Sequence, residues 1–330
     1  MSRKSLRQLK LLLSPFLDAW SRTVGATWRI KWRRDSRALG LRSEQRSDYM
    51  RIHRYAIRHS LRFPALVNPR SLHDFIHVGQ LLDDQVIRAS LSDKAEAKSY
   101  VERVLGSGFT PETYAVLGRL ADIVPDSLPS SFVIKTTHDS GSVAIVRDKD
   151  RIDWKALLEQ FDRAIAAPYG RTTAELHYER IQPRVLVEEL LLDNDGRLPV
   201  EYKFYCCNGK VLLGCAYHDR HGGTGRLREC CWKESGKHVD FRINASHAAC
   251  SRRERIAPVA WDDLLNLASS LSRGFRFVRV DMYLLDSRIA IGEITFTPHA
   301  GTIRGKANAF IGRQILTQLD ASPLASPRPK

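Results

Sequence analysis

The sequence predicts an α+β fold in which antiparallel β-sheet predominates. The clearest observation is segment 277–301, where two apolar, β-branched runs flank an Asp-Ser dipeptide at residues 286 and 287 and so predict a hairpin. A second hairpin is predicted at Asn208-Gly209, which separates two further apolar runs. Hairpin strands combined with helices are typical of the α+β class. Helices are predicted at 154–165, 258–272 and 311–319.

Length and composition limit the remaining possibilities. With 330 residues, 37.5 kDa and 43% hydrophobic residues, the chain can bury the core of one large or two moderate domains. The apolar run at 11–17 is too short to span a bilayer and lacks a cleavage site, so we expect a cytoplasmic protein. The six cysteines form no C-x-x-C pair, which disfavours zinc and predicts reduced, packed thiols.

The positive charge is concentrated near the N-terminus. The formal net charge is +15, and residues 1–64 hold 16 Lys and Arg against 4 Asp and Glu, a difference of +12 that leaves +3 for the rest. Apolar residues alternate with these charges, which predicts basic amphipathic helices. Such helices can attach to an anionic membrane surface, here its inner face, or can pack on the rest of the protein. Nucleic acid is disfavoured because no nucleic-acid motif follows.

The region before residue 128 is predicted to be helical. Ser71 is a candidate N-cap, with Asp74 at the capping-box position. Asp93-Lys94 begins a second helix of good helix formers, and Gly106 is its candidate C-cap. Lys94 therefore lies in a first helical turn, where an ordinary solvated lysine is the alternative to a functional one.

A strand, a small polar turn and a second strand follow at 132–146. Residues 136–142 are rich in Thr, Ser and Gly, and their backbone N–H groups can close over phosphates as a flap. Lys135 would add a point charge beside that flap. An ordinary β-hairpin explains the same pattern, and one glycine does not decide between the two.

Asp281 and Glu293 lie on the two strands of the 277–301 hairpin. Each carboxylate interrupts an apolar run, and a buried charge requires a compensating cation. Carboxylate oxygens on neighbouring strands suit Mg²⁺, which completes its shell with water and substrate phosphates. Carboxylates at the surface or in salt bridges are the alternative.

The order of these motifs resembles the ATP-grasp superfamily. Within it the chain is similar to the TupA-like ATP-grasp proteins, which are associated with teichuronopeptide and other bacterial surface-glycan synthesis. The resemblance covers about residues 68–312. It rests on Asp93-Lys94, 132–141, 175–178, 181–191, 202–210, Asp219-Arg220, 279–281 and 292–298.

This resemblance implies an ATP-grasp fold, in which two α+β lobes with mainly antiparallel sheets enclose the nucleotide. The implied division is a basic amphipathic extension at 1–65, a helical part of the catalytic region at 66–128, a small lobe with the phosphate flap at 129–190, a large lobe with the metal site at 191–320, and a disordered tail at 321–330.

The resemblance also implies roles for individual residues, with ATP and Mg²⁺ as cofactors. Two ions are expected, and Mn²⁺ is an alternative metal. Asp281 and Glu293 would be the metal ligands, and they join Lys135 and Arg279 as the catalytic set. The nucleotide would be contacted by Lys94, Lys135, His138, Ser140, Gly141, Glu188, Glu189, Leu191 and Lys203. Substrate would be contacted by His177, Asp219, Arg220 and Arg304.

The implied reaction is ATP-dependent ligation of a carboxylate to an amine through an acyl phosphate. An acidic bacterial surface polysaccharide or its precursor would provide the carboxylate. A kinase of the same fold that phosphorylates a sugar hydroxyl, and a non-catalytic protein that binds membrane or glycan, are the alternatives. Two departures bear on this: Asp139 stands where the family flap usually has glycine, and Thr295 stands where many ATP-grasp enzymes have asparagine.

Overall fold

The computed structural model describes residues 27–218 and 227–322. Its helices are α1 (27–39), α2 (Arg46–Ser60), α3 (Leu72–Leu82), α4 (Gln85–Ser92), α5 (Glu96–Leu105), α6 (Trp154–Ala166), α7 (Tyr169–Thr173), α8 (Trp261–Leu271) and α9 (Gly305–Ala321). Its strands are β1 (Thr113–Leu117), β2 (Phe132–Thr136), β3 (Val143–Val146), β4 (Val185–Glu188), β5 (Val200–Cys207), β6 (Lys210–His218), β7 (Arg228–Trp232), β8 (Ala248–Ala249), β9 (Val278–Leu284) and β10 (Ile289–Thr295).

The strands form two sheets. A four-stranded sheet has the order β1-β4-β2-β3, and a six-stranded sheet has the order β10-β9-β5-β6-β7-β8. Every named pair is antiparallel except β7 with β8, which is parallel. The predicted α+β class with mainly antiparallel sheet is therefore confirmed.

Both predicted hairpins are present in the larger sheet. The turn between β5 and β6 has positive φ at Asn208 (44°) and Gly209 (79°), the conformation that Asn-Gly favours. In the β9–β10 hairpin, Glu293 pairs directly with Asp281, after a register shift between Ile291 and Glu293. The two carboxylates consequently lie on the same face of neighbouring strands.

The helical region also follows the predicted boundaries closely. Ser71 caps α3, and the side chain of Asp74 completes the capping box. Helix α5 ends at Gly106, whose φ of 88° suits glycine. Strand β1 is the difference: it lies within the region predicted to be helical, yet it pairs with β4. Its residues are half exposed, so pairing with β4 rather than a strong apolar pattern makes it a strand.

The core of the larger sheet has two faces. On one face α8 packs on the sheet, with Leu264 and Leu271 in one apolar cluster with Phe204 and Val280. On the other face α3 and α9 pack in a cluster that includes Tyr205. The alternation of neighbouring β5 residues between the faces follows from the two-residue period of a strand. Helix α6 covers the smaller sheet, where Phe161 packs in a cluster with Phe132 and Ile134.

The described part of the basic extension packs on the rest of the protein. Trp28 and Trp32 contact a buried cluster that contains Tyr49 and Ile52 of α2. Asp35 is fully buried and accepts hydrogen bonds from Lys31 at 2.8 Å and from the hydroxyl of Tyr49 at 2.8 Å. These contacts favour the packed alternative for 27–64. Residues 1–26, Asp219, Arg220 and the predicted tail from 323 onward lie outside the described residues.

No helix within 27–218 or 227–322 has the length and apolar character needed to cross a bilayer.

The prediction of six reduced thiols is wrong at four positions. Cys215 and Cys231 face each other on β6 and β7, with Cα atoms 4.1 Å apart, and form a disulfide. Cys230 and Cys250 form a second, with Cα atoms 5.5 Å apart. Spacing along the chain did not show these pairs because strand register, not sequence distance, brings the cysteines together. The remaining two, Cys206 and Cys207, are free and buried.

Candidate functional site

The larger cavity, of about 610 Å³, lies between the two sheets. Its walls are formed by side chains from both sheets and by the segment that follows β4. Both sheets contribute apolar side chains and ionisable groups, a mixture typical of small-molecule sites. The lining includes Val133, Lys135, Ile145, Leu191, Tyr217 and Tyr283.

Glu188 connects two lysines beside this cavity. Its carboxylate lies 2.8 Å from Nζ of Lys98 and 2.5 Å from Nζ of Lys135. Burial raises the pKa of Glu188, but the charges of Lys135 and Lys98 outweigh that effect and hold the pKa below its ordinary value. Glu188 therefore remains ionised and fixes the position of Lys135.

The next residue, Glu189, is also engaged. Its carboxylate accepts hydrogen bonds from the guanidinium of Arg288 and, at 3.1 Å, from the backbone N–H of Glu112. Leu190 and Leu191 continue along the cavity wall. The backbone here passes from β4 of the smaller sheet toward the larger one, so it connects the two walls.

The flap between β2 and β3 is held by Asp139. Its carboxylate accepts hydrogen bonds from the hydroxyls of Thr136 and Ser142, at the two ends of the turn, and its backbone oxygen accepts one from Nζ of Lys94. The carboxylate of Asp139, at the position where the family flap usually has glycine, therefore forms hydrogen bonds within the turn. Gly141 has a φ of 116°, a conformation that side chains rarely adopt.

Five charged residues form a cluster on the larger sheet. Both oxygens of Asp281 accept hydrogen bonds from Arg279, at 2.6 and 2.7 Å, and Asp281 also accepts one from Lys203. Lys203 donates a second bond to Glu201 at 2.8 Å. Glu293 is less constrained, since a carboxylate oxygen lies 3.6 Å from Arg279 and its side chain is 25% exposed.

The charges around Glu293 favour its ionised form. Burial and the neighbouring Asp281 raise the pKa of Glu293. The positive charges of Arg279, Lys94 and Lys203 lower it by more, so the pKa lies below its ordinary value. Burial lowers the pKa of Lys94, and the charge of Glu293 offsets part of that effect. Lys94 thus lies between the flap and Glu293.

These residues fit a divalent cation at Glu293 better than at Asp281. Glu293 is ionised, partly exposed and joined to other groups by only one long contact. Asp281 already accepts three hydrogen bonds from Arg279 and Lys203, and only Oδ1, which accepts one of them, keeps a lone pair for a metal ion. A single carboxylate with water and phosphate oxygens is a common Mg²⁺ shell.

The smaller cavity, of about 270 Å³, opens beside Glu293. Ser140 of the flap, Arg279, Glu293 and Thr295 contribute to its lining. Its other residues come from α2, from α7 with the segment that follows it, and from the loop after β10. These are Tyr55, Tyr169, Glu175, Tyr178, Thr297, Pro298, His299, Ala300 and Thr302.

Glu175 is the most deeply buried carboxylate on that lining, with 3% exposure. One oxygen accepts a hydrogen bond from the hydroxyl of Thr297, whereas Oε2 has no hydrogen-bond partner among the described residues. Burial is the largest cause that raises its pKa from 4.5 to about 7, and the nearby hydroxyls of Thr297, Thr173 and Tyr169 limit that rise.

The structure separates the predicted site residues into groups. Lys135, Glu188, Glu189 and Leu191 line the larger cavity. Ser140, Arg279 and Glu293 line the smaller one. Lys94, His138, Gly141, Lys203 and Asp281 lie in the flap or the charged cluster and line neither of these cavities.

Two predicted substrate residues are placed elsewhere. His177 is buried against Tyr178 and Phe296, with ring centroids 4.5 and 6.2 Å away, and burial holds its pKa well below 6.5. Arg304 donates to the backbone oxygen of His59. Neither lines the two cavities described above.

Two residues of the site were not predicted. Lys98 follows Lys94 by four residues, and in the predicted helix that begins at Asp93-Lys94 this spacing was the signal available for Lys98. In the structure α5 begins at Glu96, so Lys94 precedes the helix and Lys98 lies on it. Glu175 was part of a quoted motif but was given no role, and no local pattern distinguishes it from a surface acid. Its burial comes from the loop after β10, more than a hundred residues away.

The sequence matches the family described as TupA-like ATPgrasp over residues 78–315. No curated protein matches it significantly. Among solved structures, D-alanine–D-alanine ligase from Bacillus anthracis complexed with ATP shows 19% identity and a TM-score of 0.40, covering 72% of this chain and 67% of the ligase. L-amino acid ligase from Bacillus licheniformis shows 15% identity and a TM-score of 0.40, with 73% and 52% covered.

A third match is the ATP-grasp ligase PsnB, complexed with a phosphomimetic variant of its minimal precursor, Mg and ADP. It shows 11% identity and a TM-score of 0.35, covering 71% of this chain and 60% of PsnB. The chain thus spans about half to two thirds of the length of these ligases. Similarity at this level does not define a substrate.

Proposed function

The chain belongs to the TupA-like ATP-grasp family, and on this basis we propose that it is an ATP-dependent carboxylate–amine ligase. Its carboxylate substrate would be an acidic bacterial surface polysaccharide or a precursor of one. The products would be the amide, ADP and phosphate. An ATP-dependent ligase, the enzyme class expected from the sequence, agrees with this family membership.

The observation that carries the proposal is the position of Lys94. Its charge interacts with Lys135, which lines the larger cavity, and with Glu293, which lines the smaller cavity. Its ammonium also donates to the flap at Asp139. A nucleotide whose base occupies the larger cavity would direct its phosphates toward these groups, and the smaller cavity would then hold the group that reacts.

Two charged residues of the larger cavity have specific parts in this arrangement. Lys135 would contact the phosphates, while Glu188 positions Lys135 rather than binding the adenine amine, because two lysines already occupy its carboxylate. The carboxylate of Glu189 is engaged by Arg288, so the backbone from Glu189 to Leu191 remains to contact adenine or ribose. Positioning of this kind provides much of the rate of phosphoryl transfer.

The residues also support the expected metal. Glu293 would hold Mg²⁺ or Mn²⁺ together with phosphate oxygens, and Asp281 could contribute only through Oδ1, since Oδ2 already accepts two hydrogen bonds. The bound ion would neutralise charge on the transferred phosphoryl group. One ion needs only Glu293, whereas the second expected ion would also use Oδ1 of Asp281.

The chemistry proceeds in two displacements. A carboxylate oxygen of the acceptor forms a bond to the γ-phosphorus as the bond from that phosphorus to the bridging oxygen of ADP breaks, giving an acyl phosphate. The amine nitrogen then attacks the acyl carbon and loses a proton, and the carbon–oxygen bond to phosphate breaks. Lys135, Lys94 and Arg279 stabilise the negative charge that moves during these steps.

Turnover assays distinguish this reaction from the alternatives. Purified protein, ATP and Mg²⁺ would be combined with uronic-acid oligosaccharides and with a panel of amino acids, singly and together. We expect equal amounts of ADP and free phosphate only when both partners are present, and a hydroxamate when hydroxylamine replaces the amine. A phosphorylated sugar without free phosphate would establish a kinase, and no ATP consumption with any pair would favour the non-catalytic alternative.

Nucleotide binding tests the metal residues separately. ADP affinity would be measured with and without Mg²⁺ for the unaltered protein, Asp281→Asn and Glu293→Gln. We expect Glu293→Gln to abolish most of the Mg²⁺-dependent gain and Asp281→Asn to have the smaller effect. Equal gains in all three proteins would remove both residues from the metal site.

Attachment to the inner face of a membrane is a further part of the proposal, and it now rests on residues 1–26. These contain Arg3, Lys4, Arg7, Lys10 and Arg22 against Asp18. Five Lys and Arg near an anionic surface contribute about 1 kcal/mol each at most. Replacing the five with Gln should release the protein from acidic vesicles at low salt, and unchanged binding would contradict attachment through this segment.

A further inference from the structure

We propose that the smaller cavity is the binding site for the primary ammonium group of the amine donor, and that Glu175 is the carboxylate that binds it. This inference rests on the proposed ligase function, and it adds the chemical class of the second substrate and a residue that recognises it.

Glu175 has an unused acceptor in a buried place. The side chain is 3% exposed, and its Oε2 is without a hydrogen-bond partner within the described ranges, although Oε1 accepts a bond from Thr297. An unpaired carboxylate oxygen is costly to bury. A ligand that donates a hydrogen bond and carries a positive charge removes that cost.

The other charged groups on the lining favour a cation over an anion. Glu175 and Glu293 are both acidic, whereas Arg279 already donates two hydrogen bonds to Asp281 and a third to Thr295, at 3.2 Å. A carboxylate ligand would meet the carboxylate of Glu175 and an arginine that is engaged elsewhere. An ammonium group would gain from the charge of Glu175, while Glu293 would hold the metal ion in the assembled complex.

Aromatic side chains complete the site. Tyr55, Tyr169 and Tyr178 line the cavity, and the rings of Tyr169 and Tyr178 lie edge to face with centroids 5.2 Å apart. Burial keeps these two phenols neutral by raising the pKa of each. Aromatic rings attract cations that approach within about 6 Å of the ring centre. Such a lining holds an ammonium without adding a competing charge.

The volume limits the donor to a small group. At about 270 Å³ the cavity is below the ~300–1,000 Å³ typical of pockets for drug-sized ligands. It therefore takes a free amino acid or a comparable amine, or the amino end of a longer chain. The wall after β10 is strained, since His299 and Ala300 have φ values of 53° and 48°, and such strain concentrates at functional sites.

The position of the cavity brings the amine to the reaction. Glu293, the better metal candidate, lines the same cavity and interacts with Lys94 beside the flap. Ser140 of the flap also contributes to its wall. An ammonium bound at Glu175 would give one proton to that carboxylate, whose pKa is raised to about 7, and the neutral amine would then face the acyl phosphate formed near Lys94 and Lys135.

Binding of small probes tests the inference in the intact chain. Ethanolamine and glycinamide would be compared with neutral acetamide and anionic glycolate by ligand-observed NMR, with and without ADP and Mg²⁺. We expect the two ammonium probes to bind at least about tenfold more tightly than acetamide, and Glu175→Gln to remove that difference. Glu179→Gln is the matched control, because Glu179 pairs with Arg51 at 2.5 Å and does not line the cavity.

A second variant covers the case in which Glu175→Gln does not fold. Thr302→Trp leaves Glu175 in place but adds a large ring to the cavity lining, and it should abolish binding of the ammonium probes. The inference fails if the ammonium probes bind no better than acetamide, if Glu175→Gln binds them equally well, or if glycolate is preferred. ADP binding is recorded in the same samples. If neither the unaltered protein nor any variant binds ADP, the proposed function is wrong, and the probe results without nucleotide still decide this inference.

Discussion

The two cavities differ in how their charges are balanced. In the larger cavity Glu188 is paired with two lysines and Glu189 with Arg288. In the smaller cavity Glu175 keeps an unpartnered oxygen within the described part of the chain, and Glu293 has one long contact, at 3.6 Å. Paired charges hold a shape into which an uncharged base can fit. Carboxylates with free oxygens instead select a ligand by its charge, so the same residue type serves two purposes.

The largest expected effect is the loss of ATP turnover when Lys135, the lysine that pairs with Glu188 and lines the larger cavity, is replaced. Lys98 and Lys135 both contact Glu188, but only Lys135 lines the cavity. Lys135→Met should reduce ATP turnover by about 10²–10³-fold, since it removes a preorganised charge at the phosphates. Lys98→Met should reduce turnover much less and act mainly through the position of Lys135.

Steady-state kinetics with the substrate pair that supports turnover would measure both variants. Unfolding midpoints serve as the control, because Lys98 also donates to Pro111 and Thr113 at 2.8 and 2.7 Å and its loss can weaken the fold. Equal losses of turnover in two well-folded variants would contradict the distinction between a lysine that contacts phosphate and one that supports it.

The architecture was largely predictable because its signals are local. Asn208-Gly209 determines a tight turn, and the apolar runs around residues 286 and 287 form the β9–β10 hairpin. The capping box at Ser71 and the glycine that ends α5 are equally local. Strand β1 was missed because its pairing partner, β4, lies about seventy residues away and its own sequence has no strong alternation.

The candidate site was predictable only where charges interrupt strands or follow helix spacing. Asp281 and Glu293 stand out in apolar runs, and their pairing follows from the hairpin. The hydrogen bond from Lys203 to Asp281 depends on the pairing of strands β5 and β9, which the sequence does not display, whereas Arg279 and Asp281 are two residues apart on β9 and share a face. Glu175 is defined by the loop after β10, and the disulfides by strand register. Each of these features needs the tertiary structure.

The second prediction concerns the free energy of unfolding, which should fall when the pH is lowered. Burial lowers the pKa of His53 to about 4 and the pKa values of His77 and His177 well below 6.5. Between about pH 7.5 and about pH 5.5 these three histidines take up protons in the unfolded chain but not in the folded one. The free energy of unfolding therefore falls by roughly 1.4 kcal/mol for each histidine and by about 4 kcal/mol for the three together. Glu188, whose pKa is already lowered, stays ionised throughout this range.

Glu175 changes the free energy of unfolding in the opposite direction. Its pKa rises from 4.5 in the unfolded chain to about 7 when folded, so the folded chain gains a proton as the pH falls and recovers roughly 2 kcal/mol. We expect the loss between these pH values to be about 2 kcal/mol larger for Glu175→Gln than for the unaltered protein. Urea unfolding at the two pH values measures both, and parallel losses in the two proteins would show that Glu175 does not titrate in this range.

The smallest expected effect is at Asp139, which belongs to the flap beside both cavities. Its carboxylate joins Thr136 to Ser142 and so restrains a turn that glycine would leave free. Asp139→Gly should raise the KM for ATP by no more than about tenfold, because ordering the flap then costs conformational entropy on binding. Asp139→Asn keeps an acceptor for one hydroxyl, so its KM for ATP should lie between those of the unaltered protein and Asp139→Gly. A KM for ATP that instead falls in Asp139→Gly would mean that the carboxylate repels the phosphates, and that the inward position of Asp139 does not persist when nucleotide is bound.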